Sequence, residues 1–198
     1  MPSEADTPGD DQIQSWRELR QWFLTFNLRR IVDYHNSVLG MVLQEAEELD
    51  PARPSVVEWY RETNATNGLL LLAAYLEEML AARWSAKGMT GDPPPGLKGF
   101  KPVLPGFVER PAWASLVDAF RVRSCILHQN GRIDLAPEGK RQHLRRILSK
   151  HPQALRLNRR RLRVTPEYLR HAVEVGYDLA DWVSDEWVRK GEGKGGTE

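Results

Sequence analysis

The candidate chemistry of the sequence is concentrated in the segment Arg123-Ser124-Cys125-Ile126-Leu127-His128. A histidine changes its charge near neutral pH, so it can remove or deliver a proton during a reaction. An arginine can hold a phosphate group through two parallel hydrogen bonds and can stabilise negative charge that develops there. A serine hydroxyl can both donate and accept a hydrogen bond. These residue types, so close together, predict proton transfer at a bound anionic group.

The arginine that would work with His128 is ambiguous, because Arg121 and Arg123 both precede it. On a helix, Arg121 shares the face of the histidine, whereas Arg123 is rotated away from it by about 140°. A purely structural interpretation stays open as well. His128 can interact with the last carbonyls and the dipole of a helix, and Arg123 can be a solvated charge. Ser124 can be a small packing residue, and Cys125 is typical of a small buried apolar side chain.

The net charge of +1 conceals a strongly basic stretch. Residues 121–163 contain 13 Lys and Arg against 2 Asp and Glu, a formal charge of +11. Such a stretch attracts polyanions because binding releases their counterions, and RNA is the obvious candidate. The alternative is that these cations pair with acidic helices at the two ends of the chain. Charge alone does not decide between the two interpretations.

Helical periodicity dominates the chain and predicts the elements that must position the segment. Apolar residues recur every three or four positions over about 11–49, which predicts a long first helix. A second helix is expected over 55–87, with a middle so apolar that most of its sides should be buried. Residues 88–111 are rich in Pro and Gly and predict a long loop, either a cover over a site or a surface excursion.

The segment itself is predicted to end a third helix. Pro111 fits the first turn of this helix, and Asn130-Gly131 is a left-handed stop signal directly after it. A short basic helix over 138–150, a small hairpin over 154–164 and a last helix from Thr165 onward should follow. The expected fold is all-α, an antiparallel bundle of four to five helices with a long Pro/Gly-rich loop and a small β-hairpin before the last helix.

The composition excludes several classes of protein. The single cysteine rules out an internal disulfide, and no Cys/His cluster has zinc-ligand spacing, so neither a metal nor another cofactor is expected. The N-terminus is polar and acidic rather than a signal peptide, and the longest apolar run, 68–76, is too short to span a bilayer. We expect a cytoplasmic protein without a membrane partner, with one domain over 11–190 between disordered tails at 1–10 and 191–198.

The segment resembles the signature of the HEPN family, in which an arginine, a polar residue, three further residues and a histidine stand near the end of a helix. Here the signature falls on Arg123, Ser124 and His128, with serine where asparagine is usual. The following Asn130-Gly131-Arg132-Ile133-Asp134 is similar to one bacterial branch of the family, and the expected helix order is similar too. The resemblance covers roughly residues 11–190, but only 123–134 match in detail.

The resemblance implies a ribonuclease that works without a metal ion. His128 would move the proton of the RNA 2′-hydroxyl, and Arg123 would hold the phosphate, with Arg121 as its neighbour in a basic pair. The products would carry a 2′,3′-cyclic phosphate and a 5′-hydroxyl. Family members pair two such helices across a homodimer, so both copies of the arginine and the histidine would line one cleft. A toxin or defence role, with a protein partner that neutralises it, is compatible with this resemblance.

Substrate contacts are expected beyond the proton-transfer groups. The expected RNA-binding residues are Arg121, Asn130, Arg132, Arg159, Arg160 and Arg161. Two other functions stay open. One is a HEPN-like domain that binds RNA or a nucleotide, or mediates assembly, without cutting; the serine at position 124 favours this alternative. The other is a helical scaffold that dimerises through its tryptophans, in which the motif is accidental.

Overall fold

The structure, a computed structural model, describes residues 54–192 together with Asp33 and Ser37. The predicted first helix over 11–49 and the predicted tail at 1–10 lie outside the described residues, although Asp33 and Ser37 are themselves helical. Most of the predicted C-terminal tail lies outside them as well, because the last helix is described only as far as Glu192.

Helices account for most of the described chain. The α-helices are α1 (Pro54–Ala86), α2 (Pro105–Val108), α3 (Pro111–Gln129), α4 (Glu138–Lys150) and α5 (Pro166–Glu192). Short 3₁₀ helices span Leu97–Val103 and Ile133–Leu135, and an antiparallel hairpin joins β1 (Leu155–Asn158) to β2 (Arg161–Val164). The predicted all-α class, with a small hairpin before the last helix, is therefore confirmed.

The long helices α1, α3 and α5 pack on one another around a shared core. Along α1, buried leucines recur every three or four residues, at Leu69, Leu72, Leu76 and Leu80. Helix α5 comes so close that a Cβ added to Gly176 would lie 3.2 Å from the Cδ1 atom of Leu72. The side chain of Leu71 is 40% exposed, so the apolar middle of α1 is buried on one side and not on most of its sides.

Two short helices interrupt the Pro/Gly-rich segment 88–111, which the composition predicted as a loop. Their side chains pack into the core, because Leu97, Phe100, Val103, Leu104 and Phe107 are all buried. Gly99 is required at its position, since a Cβ there would collide with the ring of Pro94. The segment is thus a packed wall of the domain and not a surface excursion.

The hairpin is attached to the C-terminal end of α3. Asn130 takes a left-handed conformation with φ 50°, and Gly131 follows with φ 72°, so the helix stops where the sequence predicts. The backbone N–H of Leu162 donates to the Gly131 carbonyl at 2.8 Å, and that of Ile133 donates to the Arg160 carbonyl at 3.2 Å. These bonds hold the hairpin turn beside the end of the helix that carries the candidate chemistry.

Replacing Gly131 tests this junction. Gly131→Ala is expected to lower the free energy of unfolding by about 1–2 kcal/mol, because an L side chain is strained at positive φ. The new Cβ would also lie 3.2 Å from the Leu162 carbonyl oxygen. Gly139→Ala in α4 is the matched control, since no atom lies within 4 Å of the added Cβ. Urea unfolding of both variants makes the comparison, and equal stabilities would contradict the assignment of the junction.

Candidate functional site

The predicted site residues on α3 line a single cleft of about 790 Å³. Arg121, Arg123, Ser124 and His128 all contribute to its lining. The sequence left open which arginine would work with the histidine, and both Arg121 and Arg123 line the cleft. Within the described residues, the cleft therefore brings together two guanidinium groups, a hydroxyl and an imidazole from α3.

The opposite wall of the cleft comes from α1 and from the Pro/Gly-rich segment. Residues 93–98 line it, together with Glu77 and Ala81 of α1. Lys98 brings an ammonium group from this wall, and Lys140 brings another from α4. The segment thus forms a wall of the cleft, and two of its lining residues, Leu97 and Phe100, are also part of the core.

Arg123 is held by a carboxylate from the neighbouring helix. Its Nη2 atom donates to Glu77 Oε2 at 2.9 Å, with both side chains about a quarter exposed, 22% and 28%. The Nε atom of Arg123 is buried and has no hydrogen-bond partner in the described structure. The ion pair orients the guanidinium before any ligand arrives, and it also places one negative charge inside the cleft.

Arg121 forms an ion pair with a buried carboxylate of its own helix. Asp118, one helical turn earlier, is 4% exposed, and its Oδ1 atom accepts from Arg121 Nη1 at 3.1 Å. Its other oxygen, Oδ2, accepts from Lys150 Nζ at 3.0 Å. A buried carboxylate is tolerated only when cations or other donors satisfy it, so Asp118 fixes both cations in place. The burial of Asp118 was not predicted from the sequence.

His128 and Ser124 differ in how exposed their side chains are. His128 lies in the last turn of α3 and is exposed, and its imidazole makes no hydrogen bond or ion pair with another described residue. Ser124 is half-buried on the wall of the cleft. Cys125, next to it, is 2% exposed, and burial raises the pKa of its thiol to about 11. The thiol therefore stays protonated and packs as an apolar side chain, as the sequence indicated.

The other predicted RNA-binding residues gather at the junction of α3 with the hairpin and not in the cleft lining. Asn130 forms the left-handed helix cap. Arg132 donates to Asp134 twice, from Nε at 2.8 Å and from Nη2 at 2.6 Å. These bonds raise the pKa of Arg132 and lower the pKa of Asp134 to about 2. Arg161 forms a backbone bridge with Arg132, which joins the arginines of the hairpin to the same junction.

The turn of the hairpin carries backbone strain. Arg159 and Arg160 both have positive φ, 46° and 68°, and both side chains are exposed. A two-residue turn of this kind favours Asn-Gly, because other L residues are strained in it. Two arginines thus stand where stability alone would select different residues. Backbone strain at these two exposed arginines favours the hypothesis that their side chains have a functional role.

Relieving that strain should separate stability from binding. The double variant Arg159→Asn with Arg160→Gly is expected to raise the free energy of unfolding by about 1–2 kcal/mol. It should also weaken binding of single-stranded RNA. The slope of log affinity against log salt concentration should become shallower by about 0.7 for each lost phosphate contact. Urea unfolding and fluorescence anisotropy measure the two effects.

The matched control for this variant removes the same charge from other exposed positions. Arg110→Gln with Arg170→Gln is suitable, because both side chains are exposed and lie outside the hairpin. If the control loses as much RNA affinity as the turn variant, the turn arginines contribute only net charge, and their assignment as phosphate contacts is wrong.

Glu77 and Lys98 take part in the cleft without having been predicted. Glu77 lies 46 residues before its partner Arg123, and Lys98 lies in a segment whose composition signals only a loop. Lys140 belongs to the basic helix predicted over 138–150, for which the sequence indicates no role in the site. No spacing pattern connects these residues to the motif, because packing of α1, α4 and the Pro/Gly-rich segment brings them there.

Comparison with protein-family models, with curated proteins and with solved structures finds no match to this chain. None of the described helices is both long enough and apolar enough to cross a membrane. Over the same described residues, no group of three or more His, Cys, Asp or Glu side chains is placed to hold a metal ion.

Proposed function

We propose that this chain is a metal-independent endoribonuclease of the HEPN type, which cuts RNA to a 2′,3′-cyclic phosphate and a 5′-hydroxyl. One observation carries the proposal. The residues of the resemblance, Arg123, Ser124 and His128, line the same cleft as three further cations, Arg121, Lys98 and Lys140. A cleft lined in this way is suited to a polyanion whose backbone reacts next to an imidazole.

The proposed reaction uses the substrate's own nucleophile. The RNA 2′-hydroxyl attacks the adjacent phosphorus, the new bond closes the cyclic phosphate, and the bond from phosphorus to the 5′-oxygen breaks. The His128 imidazole accepts the hydroxyl proton, and the imidazolium that forms delivers a proton to the departing 5′-oxygen. Arg123 and Arg121 bind the phosphate oxygens and stabilise the charge that develops on them. Ser124 stands where the family has asparagine, and its hydroxyl can donate a hydrogen bond to the phosphate, although the serine side chain is shorter.

We further propose that two copies of the chain complete the site, as the resemblance implies. His128 is exposed at the end of α3, which leaves it accessible to a second molecule. Leu127, directly before it, is 48% exposed, and a second α3 packed there would remove this apolar surface from water. A neutralising protein partner would act by covering the same end of the helix.

One observation favours a second candidate, a HEPN-like domain that binds RNA or a nucleotide without cutting it. The carboxylate of Glu77 already occupies the Nη2 group of Arg123 and repels a phosphate that approaches it. This contact and the serine at position 124 both weaken the stabilisation of a transition state. They affect RNA binding less, because Lys98 and Lys140 can still bind the phosphates.

Cleavage of a labelled single-stranded RNA decides between the two candidates. With excess chelator, wild-type protein is expected to cut, and His128→Ala is expected to cut at least 100-fold more slowly, because general acid–base catalysis is worth about 10²–10⁴-fold. Since His128 is exposed, the variant should keep the wild-type stability. His171→Gln serves as the control, because it alters an imidazole that does not line the cleft.

A folded wild type that binds the RNA but leaves it intact supports the non-cutting candidate and contradicts the nuclease. Equal cleavage by wild type and His128→Ala would show that the imidazole does not take part. Size-exclusion chromatography of the same samples tests the dimer, since a strict monomer that still cleaves would contradict a composite site.

A further inference from the structure

A second, smaller cavity adjoins the cleft beside α3. It measures about 270 Å³ and is lined partly by α4. The two cavities share four lining residues, Lys98, Arg121, Ser124 and Lys140, so they are direct neighbours. The second cavity is smaller than the roughly 300–1,000 Å³ of a pocket for a drug-sized ligand. Its size suits one phosphate group with part of its sugar.

The charges around the second cavity are all of one sign. The cations Lys98, Arg121 and Lys140 contribute to its lining beside the imidazole of His143, and no carboxylate of the described residues does. Lys98 and Lys140 are exposed, and neither forms an ion pair with a described carboxylate. In the cleft, by contrast, Glu77 lies among the cations. An anion therefore meets less repulsion in the second cavity than beside Arg123.

The titration of His143 reflects the same positive field. Arg121 lowers the pKa of His143, and desolvation and the cations Arg146 and Lys98 lower it further. The nearest opposing charge, Asp118, is already paired with Arg121 and with Lys150. A neutral imidazole at this place still has an N–H group that can donate to a phosphate oxygen.

We infer that the second cavity is a subsite for a phosphate of the RNA next to the one that reacts in the cleft. This inference rests on the proposed function and defines its substrate class. The ligand is a single strand that continues past the reacting bond, so that successive phosphates occupy the cleft and the subsite. Lys98 and Lys140 border both cavities and bind the connecting backbone. A nucleotide with a single phosphate can fill only one of the two positions.

Binding of a strand that cannot be cut tests the inference apart from catalysis. The probe is a 2′-O-methyl trinucleotide with two internal phosphodiesters, compared with two analogues in which one linkage or the other is an uncharged methylphosphonate. Wild-type protein is expected to lose affinity for both analogues in isothermal titration calorimetry. The double variant Lys98→Gln with Lys140→Gln should bind the intact strand about tenfold more weakly. The slope of its log affinity against log salt concentration should be shallower by about 0.7 for each lost phosphate contact.

The decisive readout is the pattern across the two linkages. The double variant should lose part of its sensitivity to both linkages, because the two lysines border both cavities. Lys101→Gln is the matched control, because this lysine is exposed in the same 3₁₀ helix as Lys98 but lines neither cavity. Its affinity should equal that of the wild type.

The outcomes separate the subsite from the nuclease. The subsite assignment is wrong if the double variant keeps the wild-type affinity and the wild-type sensitivity to both linkages. It is also wrong if the wild type binds both methylphosphonate analogues as tightly as the intact strand. A wild type that shows the expected pattern but never cleaves RNA supports the subsite and contradicts the nuclease. Because both lysines are exposed, the variants should keep the wild-type unfolding curve, which circular dichroism checks.

Discussion

The buried guanidinium of Arg83 holds the Pro/Gly-rich segment against the helices, and the cleft depends on that attachment. Arg83 is 0% exposed; its Nε atom donates to the Val103 carbonyl at 2.6 Å, and its guanidinium lies 4.9 Å from the ring centre of Trp182. Trp182 also contacts Phe107, with ring centres 5.8 Å apart. A buried charge is costly unless such contacts satisfy it, so this one arginine fixes where α1, α5 and the segment meet.

The wall of the cleft follows from this attachment. Residues 93–98 stand across from α3 because the residues that follow them are packed into the core. Carboxylates orient the two arginines of α3 in turn, with Asp118 holding Arg121 and Glu77 holding Arg123. Charged groups that are fixed before a ligand arrives lose less entropy when it binds, which is the physical advantage of building a site in this way.

Much of the fold could be predicted because local signals were strong. The stop at Asn130-Gly131, the start of the last helix after Thr165 and the strands around Asn158 all depend on residues that are neighbours in sequence. The motif was found for the same reason, since Arg123, Ser124 and His128 lie within two turns of one helix. Where backbone geometry is set by adjacent residues, the sequence pattern is sufficient.

The remaining features depend on contacts between distant parts of the chain. Leu127 is apolar and yet 48% exposed, whereas Asp118 is charged and buried, because cations from α3 and α4 satisfy it. Glu77 and Lys98 reach the cleft only through packing. Periodicity cannot anticipate such placements, since it records which residues are apolar and not which partners satisfy a charge.

The most direct test of the account is the chemistry of the cut itself. The measurement is mass spectrometry of the ends formed when the protein cuts an RNA in excess chelator, with a matched strand that carries a single 2′-deoxynucleotide at the cutting position. The account predicts a 2′,3′-cyclic phosphate and a 5′-hydroxyl from the first strand, and an intact bond at the deoxynucleotide. A cut at the deoxynucleotide, or a 5′-phosphate end, would contradict it, because the nucleophile would then not be the RNA 2′-hydroxyl.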